Sequence, residues 1–270
     1  MTDFCNKVTL ITGGASGLGR LVALKMAARG SHMVIWDIAA ESLDTVAGEI
    51  SGAGYKVATY HCDVSDKEMV YKTADKVRSE VGRVDILINN AGVVSGRPFV
   101  ECTDEQFERT MAVNVLAHFW TVKAFLPDMV KSNNGHIVTI SSAGGIVGVS
   151  GLVDYSTSKF AAFGFDESLR AELKKRKLNI NTTVVCPYFI GGEMFAGVKT
   201  RFSFLLPILD AEKVSGQIVD AIARKKRRLI TPPFVYSTWL LRLLPVSVFD
   251  WLATFLGINS AMDEFRGRVL

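Results

Sequence analysis

A tyrosine and a lysine with helical spacing are the residues of this chain best suited to chemistry. Tyr155 and Lys159 lie four residues apart, about one helical turn, so the phenol and the ammonium share a face. Tyrosine has a reference pKa of about 10, and lowering that pKa to about 7 requires roughly 4 kcal/mol. A cation about 4 Å from the phenol oxygen supplies about that much energy at an effective dielectric of 20. Such a phenol can act as a general acid or base. Ser141 or Ser142, at the end of a predicted strand, could hold the substrate oxygen.

A glycine-rich turn strengthens the prediction of a catalytic site. A tyrosine–lysine pair alone is weak evidence for one, because such pairs are common on solvated helix faces. The turn follows an apolar strand pattern and has the spacing T-G-x-x-x-G-x-G. The gap between the first two glycines is longer here than in the usual dinucleotide-binding pattern, G-x-G-x-x-G. Glycines permit positive φ and let backbone N–H groups approach a phosphate at the start of the next helix. The pattern predicts a phosphate site at Gly13, Ser16, Gly17, Leu18 and Gly19.

An acidic residue follows the second predicted strand. Asp37 stands eighteen residues after Gly19, where a carboxylate accepts hydrogen bonds from the ribose diol of an adenine nucleotide. The alternative is that Asp37 only caps the next helix. The 2′-phosphate of NADP carries nearly two negative charges, and at this point it would be repelled by the single negative charge of Asp37. NAD is therefore favoured over NADP. Ser16 supplies no cation there, and Arg20 is expected to face the pyrophosphate or solvent.

These motifs together resemble those of a known family. Asn89-Asn90-Ala91-Gly92, Asn114, Ser142 and the Tyr155–Lys159 pair occur in the order and spacing of the classical short-chain dehydrogenase/reductase family, over nearly the whole chain. The chain is most similar to the subgroup of epidermal-type retinol dehydrogenases and type-11 17β-hydroxysteroid dehydrogenases. Segments 34–38, 159–165, 186–190, 205–209, 256–258 and 261–263 carry that likeness. The resemblance implies an NAD-dependent alcohol dehydrogenase.

The resemblance also implies roles for individual residues. Tyr155 is the acid/base, and Lys159 also binds the nicotinamide ribose. The family's spacing selects Ser142 rather than Ser141. Asn114 is implied to anchor a water that relays protons through Lys159, although a satisfied core asparagine is the alternative. The implied NAD contacts are Gly13, Ser16, Gly17, Leu18, Gly19, Asp37, Ile38, Asp63, Val64, Asn90, Ala91, Gly92, Tyr155, Lys159, Pro187 and Ile190.

One position departs from the family pattern. Gly192 stands where relatives usually place a threonine that binds the coenzyme carboxamide. The carboxamide is then expected to rely on backbone groups around Ile190. Two adjacent glycines, Gly191 and Gly192, also predict a loop that loses more entropy on ordering. The expected consequences are weaker NAD binding or a loop that orders only with substrate.

Alternating strand and helix patterns predict parallel β-α-β units. The predicted fold is α/β, a single doubly wound Rossmann domain with a central parallel sheet of about seven strands and an apolar C-terminal extension. The NAD-binding domain is predicted over 1–230 and the extension over 231–270. Strands are predicted near 7–11, 32–36, 55–60, 84–88, 135–140, 180–185 and 228–230, and helices near 17–29, 40–52, 66–81, 104–131, 152–176 and 211–225.

Composition excludes several classes of function. The 270 residues are 49% hydrophobic with a net charge of +4, which gives no warrant for nucleic-acid binding. The four cysteines show no CxxC pattern and no histidine partners, so neither a metal site nor a disulfide framework is predicted. The first residues run directly into the first predicted strand without a signal pattern. A cytoplasmic location is therefore expected.

The segment after the sixth predicted strand is rich in large apolar side chains, and we expect it to bind the substrate. Tyr188, Met194 and Phe195 are the candidate contacts, together with Ser142. Few charges occur there, so a hydrophobic alcohol of the retinoid, steroid or long-chain class is favoured. Further wall residues are expected among Pro98, Phe99, Val149, Leu152, Phe189, Phe202, Phe204, Leu205 and Leu206.

The last 40 residues have their own pattern. The basic run 224–228 precedes Trp- and Leu-rich stretches that prolines interrupt, and no apolar run reaches 18 residues. Two interpretations stay open: an anchor on the cytosolic face of a membrane or lipid droplet, or a buried subunit interface. The family resemblance implies a homodimer or homotetramer packed through 104–131 and 152–176. The alternative to an enzyme is a catalytically weak, NAD-binding lipid- or membrane-associated sensor.

Overall fold

A seven-stranded parallel sheet forms the centre of the molecule. The structure is a computed structural model that describes residues 2–267. The strand order is β3-β2-β1-β4-β5-β6-β7, so the predicted doubly wound fold and strand number are confirmed. The strands are β1 Val8–Thr12, β2 His32–Asp37, β3 Val57–His61, β4 Ile86–Asn89, β5 Gly135–Ile140, β6 Ile180–Pro187 and β7 Arg228–Thr231.

Helices cover both faces of the sheet. They are α1 Gly17–Ala28, α2 Ala40–Gly52, α3 Lys67–Glu80, α4 Asp104–Met111, α5 Ala117–Lys131, α6 Val153–Lys175, α7 Ala211–Ala223, α8 Ser237–Leu241 and α9 Val246–Phe255. On one face, Met26, Ile50 and Ile218 of α1, α2 and α7 are buried against the sheet. On the other face, Val77 of α3 and Phe125 of α5 are buried in the same way. A sheet covered on both faces explains why β5 is buried along its whole length.

The order of the strands places the functional motifs at one edge of the sheet. β1 pairs with both β2 and β4, so connections on its two sides run in opposite directions. This reversal opens a crevice at the carboxyl ends of the strands. The glycine turn follows β1, Asp37 ends β2, and Ser142 comes two residues after β5. Residues far apart in the chain therefore meet at this crevice.

Two features of the helices differ from the sequence-based prediction. The single helix predicted over 104–131 is interrupted by a π-helical turn, Ala112–Leu116, between α4 and α5. The extension contains α8 and α9, neither of which was predicted as a helix. Among the described residues, none of the helices combines the length and the apolar character that crossing a bilayer requires.

The extension packs onto the rest of the molecule. Val235, Ala253, Ala261 and Met262 are buried in the same apolar cluster as Tyr155. Residues after 230 therefore contribute to the surroundings of the predicted catalytic tyrosine.

Candidate active site

A cavity of about 1380 Å³ lies at the carboxyl ends of the strands. It runs from the glycine turn, past Asp37 and Asn90, to Tyr155 and the segment after β6. All the residues predicted to bind coenzyme or substrate line this cavity, as do Ser142, Tyr155 and Lys159. Of the predicted site residues, Asn114 alone lies behind the wall, where it is fully buried.

Helix α6 places Tyr155 and Lys159 on one face, as their spacing predicts. Both side chains are buried, and the Lys159 Nζ lies 5.6 Å from the centre of the Tyr155 ring. The Lys159 Nζ donates a hydrogen bond of 2.9 Å to the carbonyl oxygen of Ile140, the last residue of β5. The ammonium is thus fixed to the sheet, and two further donor positions stay available in the cavity.

Burial controls the titration of this pair in the protein by itself. Burial raises the pKa of Tyr155 to about 12, and a hydrogen bond with Ser142 lowers this pKa by a smaller amount. It lowers the pKa of Lys159 to about 8, because a buried ammonium is poorly solvated. The expectation that Lys159 lowers the pKa of Tyr155 is therefore wrong for the protein alone. Loss of hydration disfavours the phenolate, and this is the largest influence on the Tyr155 pKa.

The structure distinguishes the two adjacent serines. The Ser141 hydroxyl donates to the main-chain carbonyl of Lys159 at 2.8 Å and so holds α6 against β5. The Ser142 Oγ accepts from the Gly144 N–H at 3.1 Å and donates to the Pro187 carbonyl at 3.4 Å. The longer of these bonds can give way to a substrate oxygen. Ser142 is thus the serine whose hydroxyl is free to change partner in the cavity.

Asn114 lies in the π-helical turn, a feature common at functional sites. Its Oδ1 accepts from the Val93 N–H at 2.8 Å, and its Nδ2 donates to the Val93 carbonyl and to Ser158 Oγ, each at 2.9 Å. A β-carbon at Gly92 would lie 3.4 Å from Asn114 Oδ1 and 3.5 Å from Lys159 Nζ. Both N–H groups and the carbonyl oxygen of the Asn114 side chain thus have partners, and they hold the loop after β4 near Lys159.

The glycine turn depends on close backbone contacts. Gly13 has φ +61°, and a β-carbon there would lie 2.9 Å from the Ala91 Cα. A β-carbon on Gly19 would collide with the Gly13 carbonyl and lie 2.5 Å from Asn90 Nδ2. The Asn90 amide in turn donates to the carbonyls of Thr12 and Gly13, each at 2.9 Å. Asn90 thus shapes the turn as well as lining the cavity.

Asp37 supports the turn from the neighbouring strand. Its Oδ2 accepts from the Ala15 N–H at 2.9 Å, and its Oδ1 accepts from the Ala39 N–H at 3.1 Å. The second bond goes to the residue just before α2, and no side chain caps the first turn of that helix, so the capping alternative is not supported. Each carboxylate oxygen accepts more than one hydrogen bond, which leaves capacity for a ribose diol.

Asp63, Val64 and Ile38 complete the adenine end of the predicted site. Asp63 Oδ1 accepts from the Ser65 N–H at 2.9 Å and from the Ser65 hydroxyl at 2.6 Å, which fixes the turn after β3. Ile38 is half exposed and Val64 is buried, and both line the cavity.

The segment after β6 forms an aromatic wall over the predicted catalytic tyrosine. The Phe195 ring meets the Tyr155 ring edge-on with centres 5.6 Å apart, and Phe189 packs between Phe195 and Tyr188. Met194 and Leu206 also line the cavity, together with Val149 and Leu152. Phe99, in contrast, stacks on Phe107 outside the cavity wall. Pro98, Phe202, Phe204 and Leu205 were also expected in the wall and do not line the cavity.

The sequence did not identify the C-terminal extension as part of this wall. Leu241 of α8 and Phe249 and Leu252 of α9 line the cavity. Phe265 also lines it and packs so closely on Gly96 that any β-carbon at position 96 would overlap the Phe265 ring. The apolar composition of the extension was a signal for burial, but it did not indicate which surface the extension would cover.

Gly192 adopts a backbone conformation that other residues avoid, with φ +145°. A β-carbon there would meet nothing within 4 Å, so conformation rather than crowding requires the glycine. A threonine could not take this conformation without strain. Near it, the Gly191 N–H donates to the Leu209 carbonyl at 2.9 Å.

Comparisons with known proteins agree with this geometry. The family model for short chain dehydrogenases matches residues 7–201. Epidermal retinol dehydrogenase 2 from Homo sapiens is 48% identical over 267 residues, which cover 97% of this chain and 86% of that protein. Short-chain dehydrogenase/reductase family 16C member 6 from Bos taurus is 47% identical over 269 residues, covering 98% and 85% respectively.

Solved structures show the same architecture. A short chain dehydrogenase/reductase from Burkholderia phymatum, crystallised in complex with NAD, superposes with a TM-score of 0.82 at 27% identity, covering 92% of this chain and 96% of that one. The resemblance inferred from the motifs, including the retinol-dehydrogenase-like subgroup, is confirmed. With its motifs gathered in one cavity and its relatives matched along almost its full length, the chain belongs to the short-chain dehydrogenase family.

Proposed function

We propose that this protein is an NAD-dependent oxidoreductase that interconverts a hydrophobic alcohol and its aldehyde or ketone. The observation that carries the proposal is the position of Tyr155. Tyr155, Ser142 and Lys159 line one cavity together with the glycine turn, which we call its polar arm, and with the apolar residues after β6, which we call its apolar arm. A dinucleotide suits the first arm and an apolar alcohol the second.

Asp37 supports NAD as the coenzyme. Its carboxylate lies at the rim of the polar arm and faces the start of α2, where a 2′-phosphate would meet a like charge. The relative from Burkholderia phymatum is described in complex with NAD, which agrees with this choice.

The substrate class follows from the apolar arm. Phe195, Phe189 and Leu252 give it an aromatic and aliphatic wall, which suits an apolar substrate. Relatives at 46–48% identity are named epidermal retinol dehydrogenases, which agrees with a long apolar alcohol. Retinoids, steroids and long-chain alcohols all fit this description.

The chemistry assigns one task to each catalytic side chain. Tyr155 Oη takes the hydroxyl proton of the alcohol as the carbinol carbon loses a hydride. Ser142 Oγ donates a hydrogen bond to the substrate oxygen and orients it. Lys159 Nζ, anchored on Ile140, binds ribose hydroxyls and stabilises the phenolate. When bound, NAD supplies the hydride acceptor and a positively charged ring.

Replacing Tyr155 with phenylalanine tests the proposal. Tyr155→Phe should lower kcat by at least about a hundredfold while it leaves the Kd for NAD within a few-fold of wild type. Tyr55→Phe, a half-exposed tyrosine ahead of β3, is the matched control and should keep full activity. NADH absorbance with a panel of retinoid, steroid and fatty alcohols measures turnover. Equal activity in the two variants would exclude Tyr155 as the acid/base.

The alternative is a catalytically weak protein that binds NAD and lipid as a sensor. It predicts NAD binding without turnover on any alcohol in the panel. The complete set of Ser142, Tyr155 and Lys159 favours the enzyme, because a sensor has no need of an acid/base.

Assembly and location form part of the same proposal. Leu116 and Phe119, at the π-helical turn and on α5, and Val153 and Phe160 on α6 are large apolar residues with at least a third of their surface exposed. Such side chains suit packing across a subunit interface, so we propose a homodimer or homotetramer. We also propose a peripheral site on the cytosolic face of a membrane or lipid droplet.

A further inference from the structure

Helices α8 and α9 are apolar on two opposite sides. One side lines the cavity through Leu241, Phe249 and Leu252. The other side is open to solvent: Leu240 of α8 is 70% exposed, and Leu243, in the turn between the two helices, is 81% exposed. A helix that is apolar all round is normally buried in protein or lipid. This layer therefore has a cavity beneath it and no protein cover above it among residues 2–267.

Large apolar side chains are exposed on these helices and in the turn between them, and we call this set the C-terminal patch. It consists of Trp239, Leu240, Leu243, Val246, Trp251 and Phe255. Scattered exposed apolar residues are ordinary, but a cluster of this kind marks an interaction site. Two tryptophans in it are consistent with the boundary between lipid and water, where that side chain is enriched.

Positive charge is concentrated beside the patch. Residues 224–256 carry six cationic side chains and one carboxylate, a net charge of +5, whereas the whole chain has +4. The remainder of the chain therefore has a net charge of −1. The exposed run 224–227 makes no ion pair within the described part of the chain. Its neighbour Arg228 lies over the Trp239 ring at 5.2 Å, which places this end of the run next to the patch.

We propose that the C-terminal patch docks on an anionic phospholipid surface and that the apolar alcohol passes from the lipid into the cavity between α8 and α9. Neither helix is long enough to span a bilayer, so the patch lies along the surface. The cationic run then faces anionic headgroups. A second copy of the chain fits the same surface poorly, because a two-fold interface would set like charges against each other.

Docking and substrate entry have different requirements. Docking depends only on the patch and its charges, whereas the entry route rests on the proposed function. Entry through this layer requires that the patch and the cavity share a thin wall. Leu240 and Leu241, adjacent in α8, lie on its two sides.

Vesicle flotation of the full chain tests docking. The protein should float with vesicles of phosphatidylcholine and phosphatidylserine, and float at least about tenfold less with phosphatidylcholine alone or in high salt. Leu243→Glu, and separately the charge reversal Lys225→Glu with Lys226→Glu, should each reduce flotation at least about tenfold. Val100→Glu is the control, since Val100 is 90% exposed on the turn Phe99–Glu101 and far from the extension in sequence.

Two results would overturn docking. One is flotation that does not depend on vesicle charge or on the Leu243 substitution. The other is sedimentation equilibrium in which Leu243→Glu, but not Val100→Glu, dissociates an oligomer, because the patch would then be a subunit interface. Thermal melts of all variants exclude misfolding as the cause.

Kinetics test the entry route. Leu243→Glu should lower kcat/KM at least about tenfold for a long-chain alcohol embedded in anionic vesicles and leave kcat/KM for a short water-soluble alcohol unchanged. An equal loss for both substrates would overturn the route. Wild-type protein that floats but oxidises neither alcohol would overturn the proposed enzymatic function and leave docking in place.

Discussion

Asn114 Nδ2 donates a hydrogen bond of 2.9 Å to Ser158 Oγ, and this bond joins the π-helical turn to the helix that carries Tyr155 and Lys159. The Ser158 hydroxyl in turn donates a hydrogen bond of 2.7 Å to the Tyr155 main-chain carbonyl. The same amide holds both the N–H and the carbonyl of Val93. One side chain thus positions the loop after β4 relative to α6.

Removing the Ser158 hydroxyl should disturb this arrangement. Ser158→Ala leaves an Asn114 N–H unpaired in a buried site, at a cost of about 1–3 kcal/mol. We expect a lower free energy of unfolding and a lower kcat, measured by urea titration and by NADH absorbance. Ser156→Ala is the matched control, because the Ser156 hydroxyl is buried without a hydrogen-bond partner among the described residues. Equal effects of the two substitutions would contradict a positioning role for Ser158.

The tight turn at Gly19 should not accept a methyl group. Gly19→Ala would force the new carbon into the Gly13 carbonyl and toward Asn90, so the turn must open. We expect the Kd for NAD, measured by calorimetry, to rise at least about tenfold, which corresponds to roughly 1.4 kcal/mol. Gly48→Ala, in an open position on α2, should leave the Kd unchanged and stabilise the helix slightly. Normal NAD affinity in Gly19→Ala would exclude this turn as the phosphate site.

Asp37 should determine the preference for NAD over NADP. Asp37→Asn removes the negative charge and keeps an oxygen for the Ala15 N–H. We expect the ratio of kcat/KM for NAD to that for NADP to fall at least about tenfold, because repulsion of a 2′-phosphate is lost. Asp44→Asn makes the same change on the exposed side of α2 and should not alter the ratio. A ratio unchanged in Asp37→Asn would show that another group selects the coenzyme.

Gly192 permits a test of the missing threonine. Gly192→Thr and Gly192→Ala both place a β-carbon at φ +145°, so both should strain the loop by about 1–3 kcal/mol. If a hydroxyl here binds the carboxamide, the threonine variant should bind NAD more tightly than the alanine variant. We expect both to bind more weakly than wild type. Tighter binding than wild type by Gly192→Thr would show that the loop can relax without cost.

Asp166 predicts a dependence of stability on pH. Burial raises its folded-state pKa to about 7, against the opposing effect of Arg170, while the ordinary value is 3.8. Between these values the folded protein retains a proton that the unfolded chain releases, so stability should fall as the pH rises from about 4 to about 7. Asp166→Asn should gain stability relative to wild type through this window, by at most about 1.4 kcal/mol per pH unit.

Urea unfolding at several pH values measures this difference. Glu108→Gln, an exposed site on α4, should show a constant difference from wild type across the same range. A constant difference for Asp166→Asn as well would show that Asp166 ionises normally in the folded protein.

Local patterns in the sequence predicted most of the fold. The strands were predicted to within about two residues because parallel strands buried on both faces are continuous apolar runs. The residues after those strands meet in the structure because the carboxyl ends of parallel strands share one edge of the sheet. The π-helical turn at Ala112–Leu116 was missed, since an insertion of one residue in a helix leaves little trace in an apolar pattern.

The amino-acid sequence alone determined the family, the sheet and the identity of the cavity-lining motifs, because these depend on residue types at short, fixed spacings. Only the tertiary structure decided which neighbours those residues meet. It showed that burial raises the pKa of Tyr155, that Asn114 is held by Val93 and Ser158, and that residues of α8 and α9 line the cavity. Desolvation and contacts between distant segments depend on three-dimensional packing, which no local spacing encodes.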